Sequence, residues 1–345
     1  MRVLITGIGG FIGYHIAKLL LQQGHEVVGI DNFNSLVYDS SIKYERVKQL
    51  GFTDYDVKPL KNINFYKQHC IFNPNIKVYY CDISDKESLE YVFTSGRPFD
   101  LVIHLAAIAN PRMPTRFYDS FISTNIVGTY NLFDCVRLHC PKAKIIFPST
   151  SSVYGNKSNK DIASKVNDVI GNNLVSLYAA TKQCDETIAK FYSENFNITT
   201  IGLRFFTVYG PWGRPDMVMY KFTHAIIKET CIDLYNYGNN YRDFTYIDDL
   251  IKCINSIIQY PPQDKYTIYN IGPNNPTRVM DIIPIFEKLL NKKAYIDHCP
   301  PHPYDVETTN ADMEKFKSDY GYIPSTPIER GIEKYIEWHR KYYNE

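Results

Sequence analysis

Three times in this chain a tyrosine stands one helical turn ahead of a lysine: Tyr178/Lys182 in SLYAATK, Tyr14/Lys18 and Tyr44/Lys48. A phenol has an ordinary pKa of about 10, so it acts as a base near neutrality only where its surroundings favour the phenolate. An ammonium at i+4 on the same helix face does so, and a shift of roughly three units corresponds to about 4 kcal/mol. Spacing alone does not choose among the three pairs; their settings do. The apolar run KIIFP, 144–148, reads as a strand that ends just before Ser149, Thr150, Ser151 and Ser152, and ligands of open α/β sheets bind beyond the carboxyl ends of strands. Tyr14/Lys18 falls on a helix opened by a glycine loop, and Tyr44/Lys48 in a polar insert away from any strand end. Both of those pairs read as structural, which leaves Tyr178 as the expected base and Lys182 as its cationic partner.

A bound nicotinamide cation would favour the phenolate further, and the N-terminus offers a place for a dinucleotide. TGIGGFIG sets Gly7, Gly10 and Gly13 between a β-branched run, Arg2 to Thr6, and an amphipathic stretch, Phe11 to Gln22. Glycines there permit a tight turn, close approach of the backbone to a pyrophosphate and tight packing of helix on sheet, with the helix N-terminus facing the negative charge. Asp31 closes the next strand, Glu26 to Asp31, 18 residues after Gly13. A carboxylate there accepts hydrogen bonds from a ribose diol and repels a 2′-phosphate, so NAD is expected rather than NADP. Asp82, at the end of the strand Lys77 to Asp82, either sits near the adenine or caps a helix ahead of Ser84 and Glu87.

Those side chains require an alternating scaffold. Further strands are expected at Leu101 to Leu105 and Lys144 to Pro148, with helical patterns between, which implies a doubly wound parallel sheet. Residues 33 to 76 are polar and read as a helix plus a surface excursion. Beyond about residue 190 the alternation loosens, and Ile328 to Tyr342 reads as a last amphipathic helix carrying Ile328, Ile332, Tyr335, Ile336 and His339 on one face. With 345 residues, 44% of them hydrophobic, the chain is long enough for two domains. Lys+Arg of 38 against Asp+Glu of 37 leaves no basic tract for nucleic acid. No apolar run approaches the roughly 20 residues that cross a bilayer, and the N-terminus lacks a signal-peptide pattern. The eight cysteines are scattered without C-x-x-C spacing, so reduced thiols and no metal are expected.

Together TGxxGxxG, HLAA at 104–107, STSSVYG at 149–155 and YAATK resemble the extended short-chain dehydrogenase/reductase family of nucleotide-sugar enzymes. GLRFFTVYGPWGRPDM at 202–217 and RDFTYIDDL at 242–250 are similar to one branch of it, the UDP-glucuronate 4-epimerases. The resemblance implies an α/β fold: a Rossmann-like doubly wound parallel sheet with a smaller mixed α/β substrate-binding domain. NAD would bind in residues 1–185 and a UDP-sugar in 186–345, with segments around 240–272 returning to the NAD domain. It further implies that Tyr178 deprotonates the sugar 4-hydroxyl while C4 yields hydride, giving a 4-keto sugar that turns over before reduction. Thr150 matches the position that bonds the 4-oxygen, and Ser151 and Ser152 line the same pocket. Thr207 and Arg214 match positions associated with the sugar carboxylate, where a planar guanidinium suits bidentate contact. Arg112 keeps an arginine near the sugar, Arg242 matches a diphosphate contact, Asp305 one near the uridine ribose, and Tyr235 or Tyr237 covers the uracil. Phe11, Ile12, Asn32, Ile83, Leu105, Ala106, Ala107 and Asn125 fall at cofactor-lining positions. For Asn125 a buried amide satisfying backbone groups is the equal alternative.

Relatives make other demands on these places. A 4,6-dehydratase uses an Asp-Glu pair where this chain has Ser151 and Ser152, a decarboxylase of UDP-glucuronate usually carries a Glu in that loop, and neutral-sugar epimerases usually have Asn at the place of Thr207. The family's Q-A-G-V-R reads Ile108-Ala109-Asn110-Pro111-Arg112 here, and His302 and Tyr304 stand where Gln and Gly are general. A homodimer through a four-helix bundle, formed by the helix starting at Tyr178 and one around Phe117 to Leu138, is also implied. The chain begins directly at its first strand, without the membrane anchor of related plant enzymes, which implies a soluble cytoplasmic enzyme.

Overall fold

The computed structural model describes residues 1–52 and 74–344. Part of the excursion expected within 33–76, with Cys70, lies outside the described residues. The element order is β1 (Arg2–Thr6), α1 (Phe11–Gln22), β2 (Glu26–Asp31), α2 (Ser41–Lys48), β3 (Ile76–Tyr80), α3 (Lys86–Thr94), β4 (Leu101–His104), α4 (Tyr118–Phe121), α5 (Thr129–His139), β5 (Lys144–Thr150) and α6 (Leu177–Phe196). It continues with β6 (Thr200–Phe205), β7 (Thr207–Tyr209), α7 (Val218–Ile227), β8 (Cys231–Leu234), β9 (Tyr241–Tyr246), α8 (Ile247–Gln259), β10 (Tyr266–Ile271), β11 (Pro276–Arg278), α9 (Val279–Leu290), β12 (Tyr295–His298), α10 (Glu314–Tyr320) and α11 (Ile328–Tyr343).

Seven strands form one sheet in the order β10-β6-β5-β4-β1-β2-β3. The pairs β1·β2, β1·β4, β2·β3 and β4·β5 are parallel, with Thr6 beside Ile30 on one side and His104 on the other. Because helices cover the sheet, its central strands are buried throughout rather than on alternate residues: all five residues of β1 are buried, Arg2 and Thr6 included. The order reverses at β1, so the crevice beyond β1 and β4 is where such a sheet takes a ligand.

β4 ends at His104, one residue short of the expected Leu105, and three further boundaries differ from the sequence expectation. β3 spans Ile76–Tyr80, leaving Asp82 in the following turn. β5 runs on through Ser149 and Thr150; two polar residues continue a buried strand there because the Ser149 hydroxyl donates to Glu186 Oε1 at 2.6 Å. The helix expected around Phe117 to Leu138 is broken into α4, a π-helical stretch Ile122–Gly128 and α5.

The chain divides into two compact units. One comprises Met1–Ser149, Thr181–Leu203 and Gln263–Thr267; the other comprises Thr150–Ala180, Arg204–Pro262 and Ile268–Glu345. The second unit carries a three-stranded sheet, β11-β9-β7, with β11 antiparallel and β7 parallel to β9, and a parallel pair, β12-β8. On α11 the residues Ile332, Tyr335, Ile336 and His339 are buried, while Ile328 is half-buried. Among the described residues no helix is long and apolar enough to cross a membrane.

Candidate cofactor and active site

The glycine loop sits at the carboxyl end of β1. Gly7 has a φ of +72°, a conformation costly for a side chain, and a Cβ there would lie 2.8 Å from the Ala106 nitrogen. At Gly13 a Cβ would meet the Gly7 oxygen at 2.3 Å, so the first turn of α1 packs directly on the loop. Gly10 is the N-cap of α1 and provides no side-chain cap. The first N–H groups of a twelve-residue helix are therefore left without a side-chain cap, which suits a pyrophosphate. Phe11 is buried and Ile12 half-buried behind this turn. The residues present thus fit the phosphate half of a dinucleotide.

Asp31, 7% exposed, reaches the same loop: its carboxylate accepts from the Gly9 nitrogen at 3.1 Å and the Phe33 nitrogen at 2.8 Å. Asn32 donates to Asp82 at 2.7 Å. Burial raises the Asp82 carboxyl, but hydrogen bonds from Ser84 and Asn32 win and hold it below its ordinary value. Asp82 does not cap the next helix; Asp85 does, accepting from the Ser88 nitrogen at 3.3 Å. The second tyrosine–lysine pair also needs correction, because α2 packs beside the end of β2. Tyr44 stacks on Phe33 with centroids 4.6 Å apart, Lys43 Nζ lies 3.8 Å from Asp31 Oδ1, and buried Arg46 donates to the Gly9 oxygen at 2.9 Å. Lys43 and Arg46 went unnoticed in the sequence, where KYER reads as a solvated helix face. Tyr14 is buried in the core while Lys18 is exposed.

At the end of β4, the Leu105 and Ala106 nitrogens each donate to Thr6 Oγ1 at 3.0 Å, and Ala107 follows half-buried. Asn125, wholly buried, accepts from the Ile108 nitrogen at 2.8 Å and donates to the Ile108 oxygen and Thr181 Oγ1. Asn125 is thus a buried amide satisfying backbone groups, and it lies in the π-helical stretch beside Gly128, whose missing side chain admits Ile83. Half-buried Arg112 stands in the loop that follows β4, its nitrogen bonded to Asn110 Oδ1 at 3.0 Å.

α6 carries Tyr178 and Lys182 on one face, one turn apart, its first turn steadied by Ser176 Oγ, which accepts from the Ala179 nitrogen at 3.3 Å. Tyr178 is half-buried. Lys182 is 1% exposed, and its Nζ donates to Asp185 Oδ2 at 2.9 Å, itself 1% exposed. Asp185 was not singled out in the sequence, although an acid three residues after a lysine on a helix is a recognisable spacing. His104 is likewise buried, between Thr6 Oγ1 at 2.8 Å from Nδ1 and Thr129 Oγ1 at 3.0 Å from Nε2. Burial, with the nearby Lys182 charge, pushes its pKa down to about 3, so this imidazole is neutral.

The remaining expected residues belong to the second unit. Thr150 Oγ1 accepts from the Ser152 nitrogen at 3.2 Å and lies 3.3 Å from Ser152 Oγ, capping the 3₁₀ turn Ser151–Tyr154. Thr207 opens β7, half-buried. Arg214 already holds a carboxylate with its planar fork: Nε and Nη2 donate to Asp216 at 3.0 and 2.6 Å. Arg242 Nη1 donates to the Tyr241 and Glu307 oxygens at 2.9 and 3.0 Å. Tyr235 meets His302 edge-on at 5.5 Å, Tyr237 is half exposed, and Asp305 is half-buried with its nitrogen bonded to the His302 oxygen at 3.0 Å.

Comparison with known proteins shows the family. Residues 3–272 match the family described as the NAD dependent epimerase/dehydratase family. The chain is 37% identical to Protein CapI of Staphylococcus aureus across 99% of both chains. It is 34% identical to UDP-glucuronate 4-epimerase 2 of Arabidopsis thaliana, across 100% of this chain and 77% of that one. The crystal structure of UDP-glucuronic acid 4-epimerase from Bacillus cereus, in complex with UDP-glucuronic acid and NAD, superposes with a TM-score of 0.86 and 28% identity, covering 99% of this chain and 100% of that one. With a family match over most of its length, this chain belongs to the NAD dependent epimerase/dehydratase family.

Proposed function

We propose that the protein interconverts UDP-glucuronate and UDP-galacturonate by inverting C4 through a transient 4-keto sugar, with NAD as its tightly held cofactor. The observation that carries this reading is Tyr178 one turn ahead of a wholly buried Lys182 on α6, in a chain matching UDP-glucuronate 4-epimerases along its full length. The cradle of Gly7, Gly10 and Gly13 holds the pyrophosphate and Asp31 the adenosine ribose. Phe11, Ile12, Asn32, Asp82, Ile83 and Leu105 to Ala107 line the cofactor. Bound NAD supplies a reversible acceptor for the C4 hydride and is restored in each turnover.

Tyr178 Oη takes the proton of the sugar 4-hydroxyl and returns it after the keto sugar has turned about its diphosphate link. The Lys182 ammonium favours the phenolate in the interval. Thr150 Oγ1 bonds the 4-oxygen, with Ser151 and Ser152 beside it. A 4-keto-glucuronate is a β-keto acid, so the carboxylate has to be held in an orientation that disfavours loss of carbon dioxide; Thr207 and Arg214 do this, Arg214 exchanging Asp216 for the substrate. Arg112 flanks the sugar, Arg242 the diphosphate, Asp305 the uridine ribose and Tyr235 the uracil.

The working form is a homodimer. Ile122, Val127, Tyr130 and Leu138, with Phe191 and Phe196 of α6, expose large apolar side chains on neighbouring helices, and Phe133 meets Tyr192 at 5.4 Å between α5 and α6. The compartment is the cytoplasm, in keeping with seven free thiols among the described residues. Incubation with UDP-glucuronate and chromatographic resolution of the products tests the reading. UDP-galacturonate at equilibrium with substrate is expected; UDP-xylose or an accumulating 4-keto product would replace it with a decarboxylase or dehydratase reading.

A further inference from the structure

The side chains around Lys182 form a chain whose proton directions can be assigned. Thr6 Oγ1 accepts from two backbone nitrogens, Leu105 and Ala106, so its own proton is the one it shares with His104 Nδ1. His104 therefore carries its hydrogen on Nε2 and donates it to Thr129 Oγ1. The Thr129 proton is then left for Asp185, the carboxyl that Thr129 contacts. Asp185 Oδ1 has no partner within hydrogen-bond distance and geometry, and Oδ2 takes Lys182 Nζ at 2.9 Å. Burial pushes the Asp185 carboxyl up and Glu186 adds to this, while Lys182 and Thr129 oppose. Against that burial, the ion pair with the Lys182 ammonium favours the carboxylate.

We propose that Asp185 is a positioning residue for the reaction: it tethers the Lys182 ammonium and, by partly offsetting its charge, sets the pH at which Tyr178 becomes the base. Asp185 holds Lys182 directly and neutral His104 feels its charge; Tyr178 and Glu186 stand one turn before and after it on α6, and Thr129 and Glu186 act on Asp185. Glu186 is itself engaged by Ser149, so Asp185 is the direct counter-ion. The inference rests on the epimerase reading only for Tyr178's role.

The test uses full-length protein with its bound NAD, comparing wild type, Asp185→Asn and Asp185→Glu, each also in a Tyr178→Phe background. Tyrosinate absorbance, taken as the difference with and without Tyr178, gives the phenol titration directly and needs no sugar nucleotide. Removing the counter-ion exposes the phenol to more positive charge. In Asp185→Asn this titration and the acid limb of kcat should therefore move down together by about 0.5–1 pH unit. Asp185→Glu should move both back toward wild type. Coincident titrations in wild type and Asp185→Asn would overturn the proposal, as would a uniform loss of activity without a shift. If Asp185→Asn does not fold, Asp185→Ser carries the same comparison; failure of both to fold would make Asp185 a core ion-pair residue and overturn the assignment. A wild type that leaves UDP-glucuronate unchanged refutes the epimerase reading, while the titration still decides the role of Asp185.

Discussion

Of the three tyrosine–lysine pairs, only one has a lysine with no access to water. Lys18 is exposed and Lys48 half-buried, whereas Lys182 sits at 1% exposure with an acid on it. Tyr178→Phe keeps the ring and deletes the oxygen, so kcat for epimerisation should fall by about 10²- to 10⁴-fold with KM and bound NAD little changed; activity within a few-fold of wild type would move the base elsewhere. A second residue-scale expectation concerns His104, whose folded pKa of about 3 lies below the ordinary 6.5. The unfolded chain binds this proton first, so the contribution to stability is full above about pH 6.5 and is lost as pH falls toward 3, by about 1.4 kcal/mol per pH unit. In urea unfolding, His104→Gln should lose less stability than wild type between pH 7 and pH 5; equal losses would show that His104 is not the titrating group. The placement of Tyr178 and Lys182 one turn apart on a helix and of Asp31 at the end of β2 was legible from type and spacing. His104 was not, because its partners Thr6 and Thr129 lie 98 and 25 residues away, and it is the pairing of β1 with β4 and the packing of α5 that bring them together.

The same division holds for the elements. β1, α1 and β2 follow the sequence residue for residue, since a glycine loop between an apolar run and an amphipathic helix is specified locally. β5 overran its expected end because a long-range bond from Ser149 to Glu186 makes a polar strand residue tolerable. The π-helical stretch was hidden for a like reason: Asn125 gives its amide to Ile108, 17 residues back. Tight packing also makes the glycine loop sensitive. Gly13→Ala places a methyl 2.3 Å from the Gly7 oxygen, which forces the start of α1 away from the loop at a cost of about 1–3 kcal/mol. The purified variant should carry much less NAD than wild type by absorbance and by thermal shift on adding NAD; full occupancy would mean the cradle yields without loss.

For the whole molecule, the sheet order was the part least open to reading in the sequence. Alternation implied parallel strands, but not that β6 and β10 extend the far edge or that 150–180 groups with the C-terminal half. On the proposed homodimer, light scattering should give twice the mass of one chain. Tyr130→Glu with Phe191→Glu should halve it; a wild-type monomer would refute the dimer. The central claim, inversion at C4 by removal and return of the same hydrogen, is tested most directly with UDP-glucuronate deuterated at C4. In ordinary water the UDP-galacturonate formed should keep its deuterium at C4 through many turnovers, as read by mass spectrometry. Loss of the label to solvent, or its appearance in a product one carbon shorter, would contradict the account.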